Sequence, residues 1–388
     1  MSAIREKIFQ IIDSRRDEML LLWEKLVNME SGSPHKDDVD KAAAFLRETA
    51  ESFGARARVV EFAQAGNGLV AEFGVSAAKP HVCFLGHFDT VFPRGTVSRR
   101  PFRIEDGKAY GPGVLDMKAG VVIQLHTARA LMDAGYSDRR IRVVLAGDEE
   151  TGHPSSEMPR VFEEQSADAA AAFNFETGDI SNALVVGRKG TASYDLSVRG
   201  VSVHAGREPE KGRSAILEIA HKIIAIQALT DYGRGITFNV GTVKGGIVRN
   251  AVPDYAEIGI DVRVTELEQL GCVNQKIDEI AAHTYVEGTT TTCVRGAGIA
   301  PMPRTDGNER LFGLVRRVSE ELGFETPSAI VSGGGSDSAY SVKAGVPTID
   351  QMGAKGQWNH SDREYAVVSS LFERAKLAAA CVLELDRL

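Results

Sequence analysis

The chain has 388 residues, too many for one ordinary core, so two domains are expected. Hydrophobic residues make up 43% and charged residues 25%, enough apolar surface for large cores under a solvated exterior, as in a globular protein. The net charge of -8 works against nucleic acid and anionic membranes as partners, because a phosphate backbone is held by clustered Lys and Arg.

Arg5, Glu6 and Lys7 interrupt the first ten residues, which therefore lack the apolar core of a secretory signal, and no stretch reaches the ~18 apolar residues of a membrane span. A cytoplasmic protein is expected. Helical apolar spacing covers 4–27 through Ile8, Ile11, Ile12, Met19, Leu22 and Leu26, and a second amphipathic helix covers 38–52. Apolar runs at 68–73, 81–85, 141–146 and 170–175 read as strands, with a long helix over 118–134. Strands alternating with helices predict an α/β fold with a mostly parallel, helix-covered sheet.

The texture then changes. Tyr194, Leu196 and Val198, and later Ile258, Ile260, Val262 and Val264, alternate with polar residues, as in strands buried on one face only. With helices expected over 214–229 and 266–283, residues 188–298 read as a smaller α+β domain inserted into a discontinuous catalytic domain of 1–187 and 299–388. Helices near 308–322 and 338–343, a glycine-rich loop between them and a helix after Ser369 complete the chain. Cys83, Cys272, Cys293 and Cys381 are scattered without a Cys-x-x-Cys pair, which disfavours a disulfide framework and a thiolate zinc site.

Residues that bind metals or move protons recur where apolar runs end. His87 and Asp89 close one run, so the imidazole would emerge at a strand terminus with Asp89 fixing its tautomer; taken alone, a strand-end histidine bonded to a turn aspartate serves as well. Asp116 follows Gly111-Pro112-Gly113 and precedes the long helix, where an ordinary N-cap is the blander assignment. Pro112 and the incomplete glycine spacing argue against a dinucleotide loop. Asp148, Glu149 and Glu150 are three successive carboxylates at a strand end and would repel one another without a cation, unless they form a solvated acidic loop. One of Glu149 and Glu150 can then ligate while the other abstracts a proton from water. Glu176 and His360 repeat the pattern, whereas Ser361-x-x-Glu364 has capping-box spacing and marks Glu364 as structural. Two imidazoles and three carboxylates make a mixed N/O donor set suited to zinc and sufficient for two ions sharing one carboxylate.

In order, His87-x-Asp89, Gly113-x-x-Asp116-Met117-Lys118-x-Gly120, Asp148-Glu149-Glu150, Glu176, Ser202-x-His204-Ala205-Gly206 and His360-Ser361 resemble the zinc exopeptidase and deacylase family. That family includes glutamate carboxypeptidase, acetylornithine deacetylase, succinyl-diaminopimelate desuccinylase and aminoacylase. The resemblance implies that Asp116 bridges two zinc ions, replaceable by Co2+ or Mn2+, with His87 and Glu176 completing one site and Glu150 and His360 the other. It assigns Glu149 as the base and then the acid, Asp89 as the residue orienting His87, and His204 as a donor to the oxyanion, reaching across a homodimer formed by the inserted lid domain. Asn250, Arg263 and the run Gly333-Gly334-Gly335 are similar to groups that hold the substrate carboxylate, the glycines through free amides forming an anion nest.

Pro112 and the run Gly333-Gly334-Gly335-Ser336-Asp337 look closest to the glutamate carboxypeptidase branch, while His153 departs from the small residue expected after the acidic triplet. The implied activity is hydrolysis of an amide next to a free carboxylate in a small-molecule substrate, with release of glutamate foremost and an N-acyl-amino-acid deacylase as the alternative. A non-catalytic metal-dependent binding protein is disfavoured by the presence of Glu149. Closure of the lid about hinges near residues 187 and 299 is expected.

Overall fold

A computed structural model describes residues 3–74 and 77–388. By internal packing they fall into two units, one of Met1–Gly187, Arg304–Ser332 and Ser336–Leu388, the other of Arg188–Pro303 with Gly333–Gly335.

The first unit is built on a six-stranded sheet in the order Arg56–Val60, Gly68–Phe73, Ile141–Ala146, Val82–His87, Ala171–Asn174 and Thr348–Ile349. The first two pairings are antiparallel and the remaining three parallel. In the parallel part His87 stands opposite Ala146, and Leu85 opposite Asn174, so these strands end at one level. Residues just beyond those ends are thereby brought together, which is how an open α/β sheet makes a crevice. Helix Ala119–Ala134 is buried on almost every side, so its apolar residues are not confined to one stripe.

The amino-terminal helical pattern divides into two helices, Ala3–Ser14 and Arg16–Val27, where one continuous helix was expected. At the break the Ser14 hydroxyl donates to the Ile11 carbonyl at 2.8 Å, competing with the backbone ladder. A five-stranded sheet of short elements, Arg103–Glu105, Lys108–Tyr110, Tyr365–Val367, Lys355–Gln357 and Gly178–Asp179, carries the turn that holds His360. No helix among the described residues is long and apolar enough to cross a membrane.

The second unit is an antiparallel sheet in the order Thr237–Gly245, Tyr255–Val264, Gly190–Arg199 and Thr290–Arg295. Helices Ala215–Gln227 and Leu267–Ala282 cover one face. Tyr194, Leu196, Val198, Ile258, Ile260 and Val262 are buried there against Ile219, Ile226, Val273 and Ile277, which accounts for their alternation in sequence.

Candidate metal centre

His87 is the last residue of its strand, Glu149 begins a short turn three residues beyond Ala146, and Glu176 lies two residues beyond Asn174. Asp116 comes from the segment Val114–Lys118, at φ -108° and ψ 98°, so it is outside helical geometry and does not cap the following helix, whose N-cap is Lys118. That helix abuts the Glu176 strand because residue 120 is glycine: a Cβ there would lie 2.1 Å from the Phe175 carbonyl oxygen.

Around these backbones the side chains converge. His87 Nε2 lies 3.3 Å from Asp116 Oδ1 and 3.3 Å from Glu176 Oε1, while His360 Nε2 lies 3.0 Å from Asp116 Oδ2 and 3.1 Å from Glu150 Oε2. Asp116 thus presents one oxygen to each imidazole. Glu149 Oε2 is 3.9 Å from His87 Nε2, and ligand atoms of His87, Glu149 and Glu176, like those of His87, Asp116 and Glu150, fall within one coordination-sized cluster. By distance alone Glu149 is therefore also within reach of a metal.

Asp89, fully buried, braces the arrangement. Its oxygens accept the Glu149 and Glu150 amides at 3.2 and 3.1 Å and the Ser33 hydroxyl at 2.6 Å, and Oδ1 lies 3.3 Å from His87 Nδ1. The Asp89 carbonyl is equally close to that nitrogen at 3.2 Å, so backbone and side chain together orient the ring. Asn359 donates to Asp116 Oδ2 at 3.1 Å.

The electrostatics call for a cation. Burial, reinforced by Asp116, pushes Glu150 up to about 7; burial with Glu176, Asp337 and Glu150 raises Glu149 well above the carboxylate range; burial and Asp116 raise Glu176. Burial alone would raise Asp116 too, but hydrogen bonds from His360 and His87 hold it well below. Five carboxylates face two imidazoles in a site that is buried around His87 and opens to solvent at His360, and the mixed N/O donors fit zinc.

Glu364 departs from the sequence reading. It caps no helix; its fully buried carboxylate accepts the amides of Gly113, Leu115 and Asp116 at 3.0, 2.8 and 3.0 Å and so shapes the Asp116 segment. Nothing in its sequence neighbourhood announces burial. His153, the unexpected residue, is buried between Asp148 and Asp337.

His204, Asn250, Arg263 and Gly333–Gly335 belong to the second unit. His204 is exposed, and its Nδ1 accepts the Gly206 amide at 3.1 Å. The Ala205 amide donates to the Asn250 carbonyl at 2.9 Å. Arg263 is paired with Asp261 at 2.9 Å and also donates to the Gly333 carbonyl at 3.4 Å. Neither Gly333 nor Gly335 has a left-handed φ.

The family model for peptidase family M20/M25/M40 matches residues 83–384. Along 97% of its length the chain is 28% identical to carboxypeptidase G2 of Pseudomonas sp. (strain RS-16), covering 92% of that protein. It is 25% identical to succinyl-diaminopimelate desuccinylase of Anaplasma marginale (strain Florida), over 94% of this chain and 96% of that one. In fold it is similar to an M20 family metallo-carboxypeptidase from Sulfolobus solfataricus, with a TM-score of 0.78, 18% identity and coverage of 96% and 100%.

Proposed function

Because the chain belongs to peptidase family M20/M25/M40, we propose that it is a cytoplasmic di-zinc carboxypeptidase that cleaves an amide bond beside a free carboxylate and releases C-terminal glutamate. The observation that carries the reading is the cluster in which the buried His87 and the half-exposed His360 share Asp116 while Glu149 stands 3.9 Å from His87. Similarity to carboxypeptidase G2 over nearly the whole chain supports the carboxypeptidase side. Similarity to a desuccinylase supports the second reading, an N-acyl-amino-acid deacylase with the same centre.

In this reading His87, Asp116 and Glu176 would hold one ion, and Asp116, Glu150 and His360 the other. When bound, the cations, zinc or its substitutes Co2+ and Mn2+, supply Lewis acidity toward the scissile carbonyl and toward water. Glu149 takes the proton of the attacking water at its carboxylate and returns it to the departing amine. Asp89 keeps the His87 ring and the Glu149–Glu150 amides in place. His204 donates to the developing oxyanion, and Asn250, Arg263 and the amides of Gly333–Gly335 engage the substrate carboxylate.

We extend the reading to a homodimer through the second unit. Supporting it, Thr237–Gly245 is an edge strand, and Ile224, Val243, Ile247 and Val248 on that unit are 69%, 62%, 92% and 59% exposed. The enzymatic reading is tested by amino-acid release from C-terminal glutamates with large acyl groups, dipeptides and N-acyl-amino acids, with and without chelator. Chelator-sensitive glutamate release is expected. Preference for N-acetyl or N-succinyl substrates would move the protein to the deacylases, and no release at all would overturn both readings.

A further inference from the structure

The Glu149 carboxylate is poorly secured by its own contacts: among the described residues it makes no side-chain hydrogen bond, and its ion pair with His87 is long at 3.9 Å. Its aim is therefore set by the backbone of the turn that carries it. One side of that turn is fixed where the Glu149 and Glu150 amides meet Asp89. The other side ends in Gly152 and His153, with left-handed φ of 73° and 58°, a conformation uncommon outside glycine.

What holds that end is a bridge. His153 Nδ1 lies 2.8 Å from Asp148 Oδ1, and Nε2 lies 2.7 Å from Asp337 Oδ1. All three side chains are at most 3% exposed. Both ring nitrogens face carboxylate oxygens, so both donate and the ring is an imidazolium. The rings of Phe162 and Tyr340, stacked on each other, present themselves edgewise to the imidazole at 6.5 and 6.0 Å and limit its movement. Asp148 directly precedes Glu149, and Asp337 directly precedes helix Ser338–Lys343. The bridge therefore ties the turn to an element distant in sequence, with two charge-assisted bonds in a water-poor interior.

We propose that His153 is a positioning residue for Glu149, an imidazolium clamp between Asp148 and Asp337 that fixes the turn from which the base projects. A small residue at 153 would leave two buried carboxylates unpaired and the turn held on the Asp89 side only. The kinetic consequence rests on the reading of Glu149 as base, whereas the mechanical consequence does not.

The discriminating variant is His153→Asn. Asparagine tolerates the left-handed backbone, and its amide nitrogen can replace Nδ1 toward Asp148, but it cannot span to Asp337. Hydrogen exchange of the Glu149 and Glu150 amides, measured on the full-length protein, is expected to accelerate about tenfold or more. On a substrate released by the wild type, kcat is expected to fall about tenfold or more with KM within twofold and bound metal unchanged, since loss of aim harms chemistry and not binding. Unchanged exchange at both amides would overturn the clamp whatever the reaction is, and so would a loss of turnover that merely follows a loss of metal. A wild type without activity on any amide would defeat the proposed function while the exchange result still decides the clamp. Should His153→Asn not fold, Asp337→Asn removes the charge at the far anchor, and the same acceleration is expected there; unchanged exchange would again overturn the proposal.

Discussion

The carboxylate of Glu364 lies against the backbone of Asp116, Oε1 accepting the Leu115 and Asp116 amides at 2.8 and 3.0 Å and Oε2 accepting that of Gly113 at 3.0 Å. Residues 248 apart in sequence are thereby locked, and the proposed bridging ligand takes its position from a group that touches no metal. Glu364→Ala strands three buried amides, each deprived of its acceptor, and is expected to destabilise the protein by about 3 kcal/mol or more. Glu364→Gln, which keeps an acceptor oxygen, is expected to lose less. Urea unfolding reads both, and an unchanged midpoint in the alanine variant would contradict the assignment.

His126 gives a pH signature remote from the centre. It is 2% exposed, edge-on to Phe53 at 4.9 Å, with neither ring nitrogen hydrogen-bonded among the described residues. Burial pushes the imidazole down to about 4. The unfolded chain, near the ordinary 6.5, binds the extra proton first, so the stability present above pH 6.5 is lost as pH falls toward 4. By pH 5 the loss amounts to about 2 kcal/mol. His126→Leu removes this dependence, so its unfolding midpoint relative to wild type is expected to rise between pH 8 and pH 5; a constant difference would show that His126 is not the group responsible.

Metal removal should be felt most near neutrality. Burial and Asp116 push Glu150 up to about 7, and Glu149 and Glu176 are raised as well, so the metal-free fold loses stability as pH climbs from the ordinary carboxylate range toward 7. Metal binding, which needs ionised carboxylates and neutral imidazoles, strengthens over the same window. Chelation is expected to lower the melting temperature by about 5 °C or more at pH 7.5 and by less at pH 5.5. An equal or reversed difference in calorimetry would count against a cation in this cluster.

His204 is exposed and, in this account, acts on the oxyanion without holding metal. His204→Ala is expected to retain full metal content and to lose about a hundredfold in turnover. Metal analysis beside steady-state kinetics checks it, and an unaltered turnover number would remove His204 from the mechanism.

Strand ends were legible in the sequence because the sheet is buried. The runs before His87, Glu149 and Glu176 are apolar until the chain emerges, and the polar residue that ends each run marks the crevice. The alternation around Tyr194 and Ile258 similarly betrayed the one-sided sheet of the second unit. Arg56–Val60 escaped because a half-exposed edge strand of mixed residues has no such contrast, and Lys355–Gln357 and Tyr365–Val367 are too short to carry a period. The roles of Glu364 and His153 stayed hidden for another reason: Glu364 meets amides 248 to 251 residues away and His153 reaches Asp337 184 residues away, and local spacing contains nothing about a contact made by tertiary folding.

The central claim is that Glu149 moves the proton while its neighbours hold the metals, and bound metal measured beside turnover in Glu149→Ala tests it most directly. Glu149 lies within ligand reach of the cluster, so the result is not dictated by proximity. Metal content equal to wild type with turnover reduced about a thousandfold or more is expected. Loss of metal in step with activity would make Glu149 a ligand, and retained turnover would leave the centre without its base.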